Sequence, residues 1–534
     1  MASQVPPPVP HPEQPRPAAR LRAGLFLLLP LAAALAYAFG HLDWYMSTPL
    51  GRVPVLDEHE NIALAEAIFG GTLPHEPFYR APGYALVLAS LRLLGVPAAS
   101  LFASALVLGA LLHGVAAALA AAVAGRLFGK TAGLAAGLLY ALDPVLVHFA
   151  TQALDAALSL TLFLAGLYCL VGAMRAPARL RPWVLASVFW AAAAVTRPNY
   201  LFAWLVVPAF ALASALPPRR RSLAAAAALS GALLFGGVSL WQYEVCGAPG
   251  FLPWQGAYNL WSANRPGANG RFYTQQVSLP AELARLNPAK AESVLLYEKE
   301  SGGKPPLISA MDAFWRGRFW DEVLRHPMRW GRLMAGKLYA LVNNFEQYNN
   351  KTYAFHKARS PWLRWNPLCW GLVLVLAVAG AARLAHEYPR GWMVMLAVKL
   401  ACVLSVMLFF VSARFRLPLA ALCLVLAGGA LERPGFWTAF TPWKRALLAG
   451  AMLVAAVTTF SRLGGVADTS TYVQDHALLA RAAYAVGDDR TALAEANEAL
   501  RIQPWHPDAL AIAKAAEAEM QDKAAQPELR AAAR

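Results

Sequence analysis

The chain alternates long apolar runs with short polar connections, and the runs are long enough to cross a bilayer at ~20 residues per span. The first, Leu25 to Gly40, is followed by runs centred near Leu111, Leu139, Leu162, Ala191, Val207, Leu233, Leu374, Leu400, Val425 and Val454. This pattern predicts an all-α polytopic membrane protein with about eleven transmembrane helices, the first of them uncleaved. Basic residues gather in alternate connections: Arg126 with Lys130, then Arg175, Arg179 and Arg181, then Arg219 to Arg221, then Arg383 with Arg390, then Arg433, Lys444 and Arg445. Those connections are expected to face the cytoplasm together with the N-terminus, because Lys and Arg are retained on that side. The remaining connections then carry nearly every unusual polar group to the outer, periplasmic face of a plasma (inner) membrane.

Two outer stretches stand out, a first outer loop over residues 41–82 and a segment over 242–362 that is too long to be a plain connection. In the first outer loop, Ile62, Ala65, Ile68 and Phe69 recur at helical spacing. They predict an amphipathic helix from Glu60 to Phe69 lying along the membrane, with Asp57 and Glu58 in the turn before it and Gly70-Gly71 ending it. The large outer loop domain, 242–362, ends in MDAFWRGRFWDEVLRHPMRWGRLMAGKLYALVNNFEQ. There bulky apolar residues alternate with Arg316, Arg318, Arg325, Arg329 and Lys337, as in helices seated in the headgroup layer.

The two ends differ from the membrane region, 23–460. Residues 1–22 are proline-rich and are expected to form a disordered cytoplasmic tail. After about Tyr472 the chain becomes rich in Ala, Asp, Glu and Arg, which predicts a soluble helical unit over 468–525 and a disordered tail over 526–534. Within it, Leu479, Ala480, Tyr484, Gly487, Asp488, Ala492, Leu493, Ala499, Leu500 and Pro504 fall in step with one tetratricopeptide repeat, a helical hairpin. A single repeat cannot bury its own face, so it must dock on the membrane domain or on a protein partner.

Composition supports the membrane reading. Of 534 residues, 58% are hydrophobic and 15% charged, with a mean hydropathy of +0.42, too apolar for a soluble chain of this length. The net charge of +16 sits mainly in the short clusters and the outer domain, so membrane topology and anionic lipid account for it and nucleic acid is not expected as a partner. The five cysteines show neither a disulfide framework nor zinc spacing.

The candidate chemistry lies on the outer face. Asp57 and Glu58 follow the first span, and Asp155 opens another from the outer side. Carboxylates at one interface can accept a proton from a hydroxyl or bind a cation. Arg80 lies among Phe78, Tyr79, Pro82 and Tyr84, a fixed cation among rings suited to a phosphate on a hydrophobic chain. Arg197, Arg414 and Arg416 stand where helices meet the outer interface, against the usual bias of basic residues, which points to a bound anion such as a lipid phosphate.

Four stretches together resemble the bacterial membrane glycosyltransferases of the GT-C superfamily, in particular the protein O-mannosyltransferase and aminoarabinose-transferase-like group, glycosyltransferase family 39. They are LDEHENIALAEAIFGG with FYRAPGYALVLA, ALDPVLVHFATQALDAALSLTLFLAGLY, YEVCGAPGFLPWQGAYNLWSANRPGANG, and SARFRLPLAALCLVLAGGAL. The resemblance spans Leu25 to Phe460 and rests on short motifs. It implies a GT-C fold and inverting transfer of a monosaccharide from a polyprenyl-phosphate carrier, at the outer face, to a lipid, glycan or protein acceptor. Asp57, Glu58 and Asp155 would be the catalytic acids. Arg80, Arg197, Arg414 and Arg416 would hold the donor phosphate, and Tyr79, Tyr84 and Asn259 would contact sugar or acceptor. Tyr79-Arg80 stands where the aminoarabinose transferases tend to show an acid followed by lysine. The resemblance therefore leaves the acceptor undefined and a divalent metal ion open as a cofactor, with His75 and Glu76 as alternative ligands. The competing reading is a lipid or solute transporter or flippase with a scaffolding tail, for which ionisable groups near the midplane and repeated halves would be expected.

Overall fold

A computed structural model describes residues 17–214, 218–280 and 287–532, and all regular structure among them is helical. Among the described residues eight helices are long and apolar enough to cross a membrane: Phe26–Ser47, the apolar part of the helix Pro17–Ser47, then Ala98–Phe128, Ala156–Arg175, Arg220–Cys246, Trp370–Glu387, Pro389–Leu408, Ala413–Glu432 and Pro442–Phe460. Large apolar side chains on these helices, among them Leu233, Leu240, Leu400, Leu453 and Val454, point outward. In water such a surface would be a liability, and in lipid it is the expected one. The chain is a multi-pass membrane protein.

The other three apolar runs differ from the expected simple spans, for local reasons. The run at Leu139 is divided into Lys130–Ala141 and Pro144–Ala150, which meet at 58°. Pro144 has no N–H for the incoming helix, and Asp143 caps the new one by accepting from the amides of Val145 (2.9 Å) and Leu146 (3.0 Å). The runs at Ala191 and Val207 form the shorter apolar helices Leu180–Thr196 and Pro198–Ala213, divided at Arg197-Pro198 because the residue before a proline is driven to extended backbone.

The helices pack through alanine and glycine, so their backbones approach closely and dispersion replaces the missing hydrophobic drive. Gly109 is one such position: a Cβ there would lie 2.0 Å from the Ala150 carbonyl oxygen. The helix Ala98–Phe128 can thus abut the turn between Ala150 and Asp155, which lies beside the candidate site. Trp183 and Trp190 fill the core, and the Trp190 indole donates to the Phe163 carbonyl (2.8 Å).

Residues 247–369 carry the helices Gln255–Ser262, Pro288–Glu300, Ile308–Arg325, Pro327–Val342 and Tyr353–Arg359. Trp254, Tyr258, Trp261, Tyr297, Trp315 and Phe319 form the common core of the first three, whereas Ala340 and Leu341 of the fourth and Tyr353 of the fifth pack into the core of the membrane helices. Trp320, Leu324 and Met328 are exposed beside Arg316, Arg325 and Arg329, the composition of a headgroup-seated hairpin.

The C-terminal part is the helical unit Tyr472–Ala485, Asp489–Ile502 and Pro507–Ala532. Gly487, at φ +78°, turns the first helix into the second. The unit does dock on the membrane domain: Leu478, Leu479 and Ala482 pack with Ala38, Tyr45, Leu50 and Val55. Its last helix runs on to Ala532, through most of the stretch expected to be an unstructured tail. At the other end the first helix begins at Pro17, inside the expected tail, and residues 1–16 and 533–534 lie outside the described residues.

Candidate active site

The expected amphipathic helix is present but begins earlier, as Asp57–Gly70, and the two carboxylates form its first turn rather than a preceding loop. The positive end of the helix dipole favours carboxylates there. Because Asp57 and Glu58 are helical neighbours, they point in different directions, and the structure uses them differently.

Asp57 faces two arginines. Arg80 Nη2 donates to Oδ1 at 2.6 Å and Arg414 Nη2 donates to Oδ2 at 2.7 Å. Arg80 also pairs through Nε with Glu60, one turn along the same helix. Burial works against charge on Asp57, but Arg80 and Arg414 outweigh it and hold the carboxyl below the usual carboxylate range. Asp155 precedes the helix Ala156–Arg175 yet makes no side-chain cap. Its carboxylate instead faces Arg414 Nη1 at 3.7 Å and Arg197 Nε at 3.8 Å. Four chain segments thus converge on an alternating array of three arginines with Asp57, Glu60 and Asp155.

The array opens onto a cavity of about 1140 Å³, lined near its charged end by Asn61, Arg80, Tyr84, Asp155, Arg197 and Arg414. Phe202, Phe251, Trp254, Leu260 and Phe410 make other walls apolar, and Asn259 also lines it. Several buried donors have no partner: Arg197 Nη2, Arg414 Nε, and Nδ2 of Asn199, which also lines the cavity. Unpaired buried donors are costly, and these form a cradle that an anion would satisfy, with the Asp155 carboxylate, whose Oδ1 is also buried without a hydrogen-bond partner, at its side.

Other expected site residues are turned elsewhere. Glu58 is buried against Lys351 Nζ (2.7 Å) and accepts from the backbone amides of Val55 and Ala153 (both 3.3 Å), so it ties the helix down rather than facing the cavity. Arg416 pairs with Glu346 and donates to the carbonyls of Leu341 (3.2 Å) and Asn343 (2.6 Å), away from the other arginines. Tyr79 packs edge-on against Trp254 (4.9 Å between centroids) and donates to Asn287 Oδ1 (3.2 Å), joining the first outer loop to the outer domain. His75 contacts the Val245 carbonyl (2.9 Å) and Glu76 pairs with Lys290 (2.6 Å), so neither is directed at Asp57. Among the described residues, no group of three or more His, Cys, Asp or Glu side chains stands where it could hold a metal ion.

Sequence reasoning did not single out Glu60, Asn61, Asn199, Asn287 or Lys351. Glu60 was findable, being three residues from Asp57 and therefore on the same helix face. Asn61 lies inside the periodic helix with nothing to mark it there, and Asn199, Asn287 and Lys351 lie in stretches without periodicity.

Residues 81–241 match the family described as dolichyl-phosphate-mannose-protein mannosyltransferase. That match includes Tyr84, Asp155, Arg197 and Asn199 and covers less than half of the chain. No curated protein matches the chain. Among solved structures, the Archaeoglobus fulgidus oligosaccharyltransferase in the apo form is similar at 13% identity and a TM-score of 0.44. The alignment covers 83% of this chain and 55% of that one, so the chain spans little more than half the length of that enzyme. ArnT from Cupriavidus metallidurans bound to undecaprenyl phosphate is similar at 18% identity and a TM-score of 0.32, covering 77% of this chain and 79% of that one.

Proposed function

We propose that the protein transfers a monosaccharide from a polyprenyl-phosphate carrier to an acceptor at the outer membrane face, with a GT-C architecture of eleven crossings. The crossings are the eight long helices, the bent pair, and the two shorter helices at Leu180 and Pro198. The N-terminus is then cytoplasmic, and the cavity and the C-terminal unit, read as a tetratricopeptide-like repeat, are periplasmic. The observation that carries the reading is the unpaired cradle of Arg197, Arg414 and Asn199 directly beside the ionised Asp57, at the end of a largely apolar cavity. A phosphate on a lipid chain fits those donors and those walls. The partial match to a family named for dolichyl-phosphate-mannose supports the same chemistry.

In the mechanism, the acceptor oxygen forms a bond to the anomeric carbon from the face opposite the phosphate. The bond from that carbon to the phosphate oxygen breaks, its electron pair leaves with the phosphate, and the configuration inverts. Arg197, Arg414 and Asn199 receive the growing charge, where donors already oriented in a water-poor site are most effective. The acceptor's proton goes to Asp57.

Asp57 in the free protein is a weak base, because both its oxygens carry guanidinium partners. The donor phosphate competes for Arg414, and as Arg414 turns toward it Asp57 loses a cation and becomes more basic. Donor binding thereby arms the base. Asp155, facing Arg197 and Arg414, keeps both guanidiniums oriented, and Tyr84 and Asn259 line the space for sugar and acceptor. The test is to incubate purified protein with a panel of polyprenyl-phosphate sugars and identify which carrier loses its sugar. Loss from none, in a folded preparation supplied with lipid, glycan and peptide acceptors, would overturn the reading.

A further inference from the structure

Among the described residues, only two other than glycine have positive φ, and both adjoin Asp57. Leu56, at φ +49° and ψ −125°, immediately precedes it. Asn350, at φ +30°, lies with its side-chain amide beside the Asp57 carboxylate. Such conformations persist only where the surroundings over-determine them.

The surroundings here converge on residues 347–352. Lys351, wholly buried, donates to Glu58 (2.7 Å) and to the Tyr45 hydroxyl (2.5 Å), and Glu58 in turn accepts from the Val55 amide across the strained Leu56. At the other side, Gln347 O accepts from the Ala413 amide (3.2 Å) and Asn349 Nδ2 donates to Ser412 Oγ (3.3 Å), fixing the turn that presents Arg414. One short segment therefore braces both the carboxylate and its arginine. Its end is held from the C-terminal unit: Asp475 accepts from the Thr352 amide (2.7 Å) and from the Thr352 hydroxyl.

Asp475 is fully buried and pairs with no lysine or arginine; its remaining neighbour is His356 Nε2 at 3.3 Å. A buried carboxylate is an expensive way to glue two apolar surfaces, which Leu478, Leu479 and Ala482 already do. What it supplies is short, directional acceptance from a backbone amide and a hydroxyl. We propose that Asp475 is a positioning residue for the transfer reaction: by holding Thr352 it fixes the brace 347–352, which sets Asp57 against Arg414. This rests on the reading of the cavity given above, and it makes the C-terminal unit part of the catalytic apparatus.

The test uses the full-length protein with Asp475→Ala, Asp475→Asn and Thr352→Val. Displacement of a reacting group by ~1 Å costs on the order of 100-fold, so Asp475→Ala should lower kcat by roughly ten- to hundredfold per folded molecule, with the smaller change in donor KM. Asp475→Asn, which can still accept from the Thr352 amide, should restore most of it, and Thr352→Val should be intermediate. Amide hydrogen exchange supplies a readout independent of turnover: protection of residues 55–60 and 347–352 should fall in Asp475→Ala and return in Asp475→Asn. Unchanged exchange over residues 55–60 in Asp475→Ala would overturn the positioning role even if the wild-type protein transferred no sugar. Failure of the wild type to release sugar from any carrier would instead count against the reading of the cavity. If Asp475→Ala does not fold, wild-type kcat and exchange in both Asp475→Asn and Thr352→Val would overturn it as well.

Discussion

Arg414 Nη2 lies 2.7 Å from Asp57 Oδ2, although 357 residues separate them in the chain, and the same guanidinium keeps its Nε buried without a partner. The guanidinium also faces Asp155 through Nη1 at 3.7 Å, so a cation held tightly by one carboxylate, loosely by another and with one donor unused is suited to change partners. In the proposed reaction that property would link donor binding to proton acceptance.

Arg414 and Arg416 should behave differently when truncated. Arg414→Ala removes a charge-assisted contact worth ~1.5–3 kcal/mol, so the carrier should bind roughly ten- to hundredfold more weakly. Arg416→Ala should leave carrier affinity unchanged in the folded fraction. It strands the buried Glu346, and loss of one partner from a buried pair costs ~3–5 kcal/mol, to be seen as a lower Tm in detergent. Carrier titration with thermal melts on both variants checks this, and equal loss of affinity would contradict it.

The same comparison marks what could be read from sequence. The arginines at the ends of apolar runs were visible because the expected topology sets them against the usual bias of basic residues, and the acids because they stand at the edges of apolar runs; Asp57, Asp155, Arg80, Arg197 and Arg414 do come together. Their neighbours Glu58 and Arg416 have the same residue types in the same stretches, yet they face other partners. The reason is phase. Successive helical residues are rotated by ~100°, and the start of a helix decides which of two adjacent acids faces the arginines at the cavity's end. Asp57–Gly70 begins three residues before the apolar periodicity does, so that phase was hidden. Lys351, Asn199 and Asp475 gave no signal, because contacts made across long sequence separations leave no local pattern.

Activity should depend on pH in a way that reports the arming of Asp57. In the free protein Asp57 is held below the usual carboxylate range, so it contributes stability above the unfolded carboxylate range of ~4 and loses it as pH falls further. Asp57 is then ionised throughout pH ~5–7, and kcat/KM for the carrier should show no acid limb there. Once the phosphate draws Arg414 away, the Asp57 carboxyl rises, so the acid limb of kcat should lie at higher pH than that of kcat/KM. Parallel profiles in proteoliposomes would show the separation, and coincident limbs would remove the arming step.

The proposed topology places the outer domain and the Arg219 to Arg221 connection on opposite faces. Ser301 follows the helix Pro288–Glu300, and Ser222 is exposed near the start of Arg220–Cys246. With the native cysteines replaced, Ser301→Cys should react with an impermeant thiol reagent added outside, and Ser222→Cys should react only after permeabilisation. Labelling in the reverse sense would put the cavity on the wrong side for an outer-face reaction.

The most direct test is Asp57→Asn in proteoliposomes, with sugar release from the carrier and carrier affinity measured on the same preparation. The substitution keeps the side chain's size while removing its charge. Transfer should fall by ~10²–10⁴-fold, the usual contribution of a positioned general base. Carrier binding should be as tight as in the wild type or tighter, because Arg80 and Arg414 no longer share themselves with a carboxylate. Near-wild-type transfer by a folded Asp57→Asn protein would contradict the assignment of Asp57 as the base.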